Sequence, residues 1–188
     1  WGGTSWVDTH AKLVAYVQAN QGPCDVLLVG DSITQQWGSP LDKGVLNAAW
    51  LKAFPSAKTI NIGIGGDKTQ NVLWRLDHGG VEGLKPRAIV LMIGNNNMFF
   101  TPETGVPAAA QGIKACAANL REKFPEADVV VAGYGIAGVT AAIEAARAGA
   151  EVLVYPTAIG SEPDHPGFDT QPLWQQVIVG NGIARSEE

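Results

Sequence analysis

Ser32 lies in Gly30-Asp31-Ser32-Ile33-Thr34, directly after the apolar run Asp25 to Val29. A serine at such a strand-to-helix turn projects at a sheet edge, and the helix that follows presents free backbone N–H groups. That is the placement a nucleophile needs for acyl transfer. The reaction also needs donors aimed at the oxyanion that develops on the attacked carbonyl. Two further polar segments follow apolar runs: Gly65-Gly66-Asp67 after Lys58 to Ile62, and Asn95-Asn96-Asn97 after Arg87 to Ile93. Each segment alone reads as a turn, since Gly, Asp and Asn are turn residues. Together they supply the N–H of Ser32, a glycine N–H near Gly66 and a side-chain amide near Asn96.

The elements that must position them are legible as an alternation. Five short apolar runs rich in Val, Ile and Leu occur: Asp25 to Val29, Lys58 to Ile62, Arg87 to Ile93, Asp128 to Ala132 and Glu151 to Tyr155. Gly or Pro follows each, as expected of buried parallel strands. Helical patterns lie at His10 to Ala19, Leu41 to Phe54, Thr69 to Leu76, Gly105 to Phe124 and Ala137 to Ala148. This βαβ alternation predicts a three-layer α/β fold, a parallel sheet with helices on both faces. Ligands bind at the carboxyl ends of such strands, where the three polar segments fall.

The 188 residues fit a single domain over residues 1–188, and 46% hydrophobic with 16% charged residues is a globular composition. The net charge of −5, with no run of Lys or Arg, argues against nucleic acid and anionic membranes as partners. No apolar stretch approaches the ~20 residues that span a bilayer. The two cysteines, Cys24 before the first strand and Cys116 in a helix, lack C-x-x-C spacing and read as buried thiols, with a disulfide as the lesser alternative. The first residue is Trp1 rather than Met, which fits an N-terminus that is missing or was processed; secreted, periplasmic and cytoplasmic settings all stay open.

Val29-Gly30-Asp31-Ser32-Ile33-Thr34, Asn61-Ile62-Gly63-Ile64-Gly65-Gly66-Asp67 and Ile93-Gly94-Asn95-Asn96-Asn97 resemble the first three sequence blocks of the SGNH (GDSL) hydrolases, with Asn97 where Asp is more usual. The stretch Gly63 to Leu76, with Val72-Leu73-Trp74-Arg75-Leu76, is similar to the catalytic subunits of intracellular platelet-activating-factor acetylhydrolases, and bacterial carbohydrate acetylesterases share the pattern. The resemblance covers about residues 1–132. It implies a flavodoxin-like sheet, Ser32 as nucleophile, an oxyanion hole from Ser32, Gly66 and Asn96, a small acylated substrate, and no metal or cofactor.

A serine also needs a base, usually a histidine oriented by a carboxylate. The chain has three histidines. His10 belongs to the first helix's amphipathic pattern, and His78 precedes Gly79-Gly80 as a C-terminal helix cap. His165 is the candidate by elimination. The family carries Asp-x-x-His late in the chain, and Glu162-Pro163-Asp164-His165 offers Glu162 at that spacing. Asp164 is adjacent to His165, and adjacent side chains usually diverge, so Glu162 is the preferred orienting carboxylate.

After Ala132 the character changes. Residues 128–155, with Gly133-Tyr134-Gly135-Ile136-Ala137-Gly138, resemble the dinucleotide-binding βαβ unit of flavoprotein oxidoreductases. That resemblance implies FAD or NAD held through Gly133, Gly135 and Gly138. Pro156 stands where such units carry an acidic residue for the ribose, and about 33 residues follow the strand. Three readings therefore stand at this stage: an esterase, a dinucleotide-binding module, and a folded but inactive chimera of residues 1–132 with residues 133–188. The family's usual loops and last helix between the fourth strand and the histidine block are absent, which predicts a sheet face left open to a homodimer or to poor solubility. Val177 to Gly182 reads as a sixth strand or an exposed sticky segment.

Overall fold

In a computed structural model, residues 5–42, 52, 55–100 and 102–132 are described. Among these residues four strands form one sheet: β1 (Gly22–Gly30), β2 (Thr59–Asn61), β3 (Leu84–Met92) and β4 (Asp128–Val131). The helices are α1 (Trp6–Ala19), α2 (Ser32–Gln35), α3 (Thr69–Asp77), α4 (Asn95–Phe100) and α5 (Pro102–Lys123), with a 3₁₀ turn at Pro40–Asp42.

All pairings are parallel and the order is β2-β1-β3-β4. β1 is therefore central, with Val26 opposite Thr59 on one side and Ala88 on the other. The ends of β2 and β3 flank the end of β1 rather than each other. This sharpens the expected geometry, because the segment bearing Ser32 emerges between the other two. The path from β2 to β3 crosses over β1, and the path from β3 to β4 continues in the same direction. Right-handed crossovers put their helices on one face, and α3 and α5 do pack together there.

The core fills the space between these helices and the sheet. Leu27 and Val29 of β1, Ile60 of β2, and Ile89 and Leu91 of β3 are buried with Val72 and Leu76 of α3 and Ile113, Cys116 and Leu120 of α5. On α1, His10, Leu13 and Val17 are buried, spaced to share one helical face.

Several boundaries differ from the sequence-based expectation. The first helix starts at Trp6, four residues before the apolar pattern, because Ser5 and Asp8 form a reciprocal capping box. β1 begins at Gly22, so Cys24 lies inside the strand instead of before it. Asn95 to Asn97 opens α4 rather than a loop. Cys24 and Cys116 are both free and buried, as expected. Most of the Leu41 to Phe54 helix, and all of the Ala137 to Ala148 helix, the Glu151 to Tyr155 strand and the Val177 to Gly182 run, fall outside the described residues.

Ile89 is fully buried in β3, between β1 and β4. Ile89→Ala is expected to cost about 2–5 kcal/mol through lost burial and a residual cavity. Urea denaturation followed by circular dichroism measures this, and a loss below about 1 kcal/mol contradicts the packing described.

Candidate active site

Ser32 is the first residue of α2. Asp31 caps that helix, its Oδ1 accepting the N–H of Ile33 at 3.0 Å. Asp31 is buried, and burial pushes its carboxyl above the ordinary range while the Ile33 N–H pulls it back. Gly30 precedes the cap at a point of close approach. A Cβ there would collide with the Thr34 side chain and the Met92 carbonyl oxygen. The turn bearing Ser32 is therefore pressed against the end of β3, and only glycine permits the fit.

The segment after β2 is tied to the same turn. Asn61 Nδ2 donates to the Thr34 carbonyl at 2.8 Å, and its Oδ1 accepts the Gly63 N–H at 2.9 Å. Gln35 Oε1 accepts the Gly65 N–H at 2.5 Å. Gly66 has φ +82°, a left-handed conformation that glycine takes without the Cβ penalty, and Asp67 N–H closes the turn on Ile64 O at 3.2 Å. The third segment joins there, as Asn96 Nδ2 donates to the Asp67 carbonyl at 2.8 Å.

Under these turns lies a buried ion pair. Arg75 Nη2 is 2.7 Å from Asp67 Oδ2, and neither side chain has any solvent exposure. Arg75 Nε donates to the same carboxylate at 2.8 Å, Nη1 to the Ile62 carbonyl at 2.8 Å and Nη2 to the Gly30 carbonyl at 3.3 Å. One guanidinium thus grips the ends of β1 and β2 and the turn between β2 and α3. The other carboxylate oxygen of Asp67 accepts the Trp6 indole N–H at 2.7 Å. Burial raises the Asp67 carboxyl, with the Arg75 charge opposing it, and burial lowers Arg75, with Asp67 opposing it.

Asn97 completes the frame. Its Oδ1 accepts the Thr69 N–H at 3.0 Å at the start of α3, while its Nδ2 donates to Thr69 Oγ1 at 3.1 Å and Gln70 Oε1 at 3.2 Å. An ionised aspartate has no N–H for the last two contacts, which gives Asn97 a physical role of its own.

The other titratable candidates are structural. Burial pushes the Cys116 thiol up to about 12 and raises Cys24 as well, so neither is a ready thiolate. His78 is the C-terminal cap of α3, with Nδ1 2.6 Å from the Trp74 carbonyl. His10 is buried against Trp6 and Trp74, with Nε2 2.9 Å from the His78 carbonyl. Nε2 therefore carries the proton, and buried Nδ1 has no hydrogen-bond partner among the described residues. No group of three or more His, Cys, Asp or Glu with metal-binding geometry occurs among the described residues, and no described helix is long and apolar enough to cross a membrane.

The segments bearing Ser32, Gly66 and Asn96 are thus joined by hydrogen bonds. His165 and Glu162, and the alternative cofactor residues Gly133, Gly135 and Gly138, lie outside the described residues. Sequence reasoning gave no role to Trp6, Gln35, Asn61, Asp67 or Arg75. A detectable signal existed for Arg75, which shares the buried face of α3 with Val72 and Leu76, where a charge requires a buried partner.

This is a parallel α/β fold with a serine at the end of its central strand. Residues 28–178 match the GDSL-like Lipase/Acylhydrolase family, and the chain belongs to it. The match runs through residues 133–178, so it includes the stretch with the second resemblance, and the comparisons lend no support to a flavoprotein-derived segment or a chimera. The chain is 34% identical over 132 residues to platelet-activating factor acetylhydrolase IB subunit alpha1 of Bos taurus, covering 70% of this chain and 51% of the relative. It is equally 34% identical over 132 residues to subunit alpha2 of Rattus norvegicus, covering 70% and 52%. The chain spans about half the length of these relatives. Among solved structures, one from Streptococcus pneumonia, provisionally described as a platelet activating factor, superposes with TM-score 0.60 at 18% identity, covering 80% of this chain and 73% of that one. A Clostridium thermocellum family 3 carbohydrate esterase gives TM-score 0.51 at 16% identity, covering 72% and 78%.

Two outcomes follow from the buried groups. Arg75→Met leaves the Asp67 carboxyl buried without its cation, and a loss of about 3–5 kcal/mol is expected in urea denaturation. The second concerns pH. Burial holds His10 below its ordinary value, so between about pH 6.5 and its folded pKa the unfolded chain binds the extra proton and the folded chain does not. The His10 contribution is full above about pH 6.5 and is lost as pH falls. Differential scanning calorimetry should therefore show a smaller drop in Tm from pH 7.5 to 5.5 for His10→Leu than for the parent. An equal drop contradicts a neutral His10.

Proposed function

We propose that this protein is a serine ester hydrolase acting on short acyl esters, chiefly acetyl groups, of a carbohydrate or lipid. The observation that carries the reading is the hydrogen-bonded junction of the three strand-end segments that bear Ser32, Gly66 and Asn96, where Gln35 binds Gly65 and Asn96 binds Asp67. A nucleophile and two kinds of oxyanion donor come from these segments. The name of the relatives, an acetylhydrolase, supports an acetyl ester, and the name of the structural neighbour, a carbohydrate esterase, supports an ester of a carbohydrate.

Ser32 Oγ attacks the ester carbonyl carbon while His165 takes the hydroxyl proton, with Glu162 orienting the imidazole. Negative charge gathers on the carbonyl oxygen. The Ser32 N–H, the Gly66 N–H and the Asn96 amide receive it, and because the surrounding turns are already hydrogen-bonded they need no reorganisation at that moment. His165 returns the proton to the leaving alcohol. Water then repeats the sequence on the acyl-serine to release the acid. The reading requires no metal or dinucleotide.

Hydrolysis of p-nitrophenyl acetate by the purified chain tests the assignment. Ser32→Ala is expected to lower kcat by about 10⁴-fold or more, with His165→Ala comparable. Asn96→Ala, which removes one oxyanion donor, is expected to cost about 10²–10³-fold in kcat. An unchanged rate in Ser32→Ala refutes the esterase reading, and an unchanged rate in His165→Ala moves the base elsewhere.

A further inference from the structure

We propose that Trp6 is a positioning residue for the oxyanion donors, holding Asp67 so that Asp67 in turn fixes the Gly66 turn and the Asn96 amide. The inference rests on the esterase reading of Ser32 and extends it to a helix that precedes the whole sheet.

Every polar group of Asp67 is engaged. Its N–H donates to Ile64 O at 3.2 Å and its carbonyl accepts Asn96 Nδ2 at 2.8 Å. Its Oδ2 accepts Arg75 Nε at 2.8 Å, and its Oδ1 accepts Trp6 Nε1 at 2.7 Å. Arg75 takes one carboxylate oxygen, so the second needs another donor, and Asp67 is only 1% exposed. Trp6 supplies it from a position 61 residues away in the chain. The consequence reaches the site through two short links. Gly66 is bonded directly to Asp67, so the direction of the Gly66 N–H depends on the Asp67 backbone. One N–H of the planar Asn96 amide is spent on the Asp67 carbonyl, which sets the direction of the other.

Trp6 is itself braced. Its ring stacks on His10 with centroids 5.7 Å apart and meets Trp74 edge-on at 5.4 Å. An apolar ring would satisfy those contacts equally well. The indole N–H is the feature that packing does not require and that Asp67 does.

The test uses the full chain and separates the two roles of the ring. Trp6→Phe keeps an aromatic ring and removes the donor. It is expected to lower kcat for p-nitrophenyl acetate about 3- to 10-fold, a fraction of the loss for a direct oxyanion donor, with KM changed less than about two-fold. In an Asn96→Ala background the same substitution is expected to have a smaller effect than in the parent, because the Asn96 link is gone and only the Gly66 link remains. Trp74→Phe perturbs the ring contact without touching the Asp67 bond, and its kcat is expected to stay at the parent value. An unchanged kcat in Trp6→Phe while Ser32→Ala is inactive overturns this proposal and leaves the esterase reading standing. Equal effects of Trp6→Phe with and without Asn96 overturn it as well. A Ser32→Ala protein with the parent rate overturns both. If Trp6→Phe does not melt cooperatively, Trp6→His and Trp6→Leu replace it. The histidine ring keeps an N–H, so its kcat must exceed that of the leucine variant, and equality overturns the proposal.

Discussion

A guanidinium and a carboxylate are buried together beneath the strand ends, and the surrounding geometry depends on them. Arg75 and Asp67 are both fully buried. Removing two charges from water is costly, and their attraction offsets that cost only where the remaining donors and acceptors are satisfied. Here they are satisfied by backbone carbonyls at Ile62 and Gly30 and by the Trp6 indole. Satisfying the ion pair therefore dictates where the ends of β1 and β2, the Gly66 turn and α1 must lie. An apolar pair of the same volume would fill the space without specifying those positions.

Around this pair, the local chemistry of each segment agrees with the global arrangement. Asp31 caps α2 through a backbone N–H, Asn97 accepts the first N–H of α3, and Gly66 adopts the left-handed conformation its turn needs. Glycine at position 30 lets β1 end directly against the end of β3. Each of these devices narrows the positions available to Ser32 and to its neighbours, and that narrowing is what electrostatic preorganisation demands.

Much of this was legible in the sequence. Short apolar runs followed by Gly located the strands to within a few residues, since buried parallel strands read as continuous hydrophobic stretches. The polar segments after β1, β2 and β3 stand out in the sequence as strand-end segments, and they are the ones that hydrogen bonds join. What stayed hidden depends on contacts distant in sequence. Nothing near Trp6 announces Asp67 as its partner, and nothing near Gln35 announces Gly65. Asn95 to Asn97 has turn composition, yet it opens a helix because Asn97 is held by Thr69 and Gln70 of another element. The start of α1 was missed because a capping box extends the helix beyond its apolar stripe.

The central place of β1 has a consequence for biosynthesis. Both of its edges are satisfied only by segments made later, as Val26 waits first for Thr59 and then for Ala88. A nascent chain leaving the ribosome therefore carries an apolar strand with both edges open until Thr59 is made and one open until Ala88 is made. Such edges template pairing with other chains. The strand that delivers the serine is thus also the segment most in need of shielding while the protein is being made, and slow elongation before Ala88 would prolong that interval.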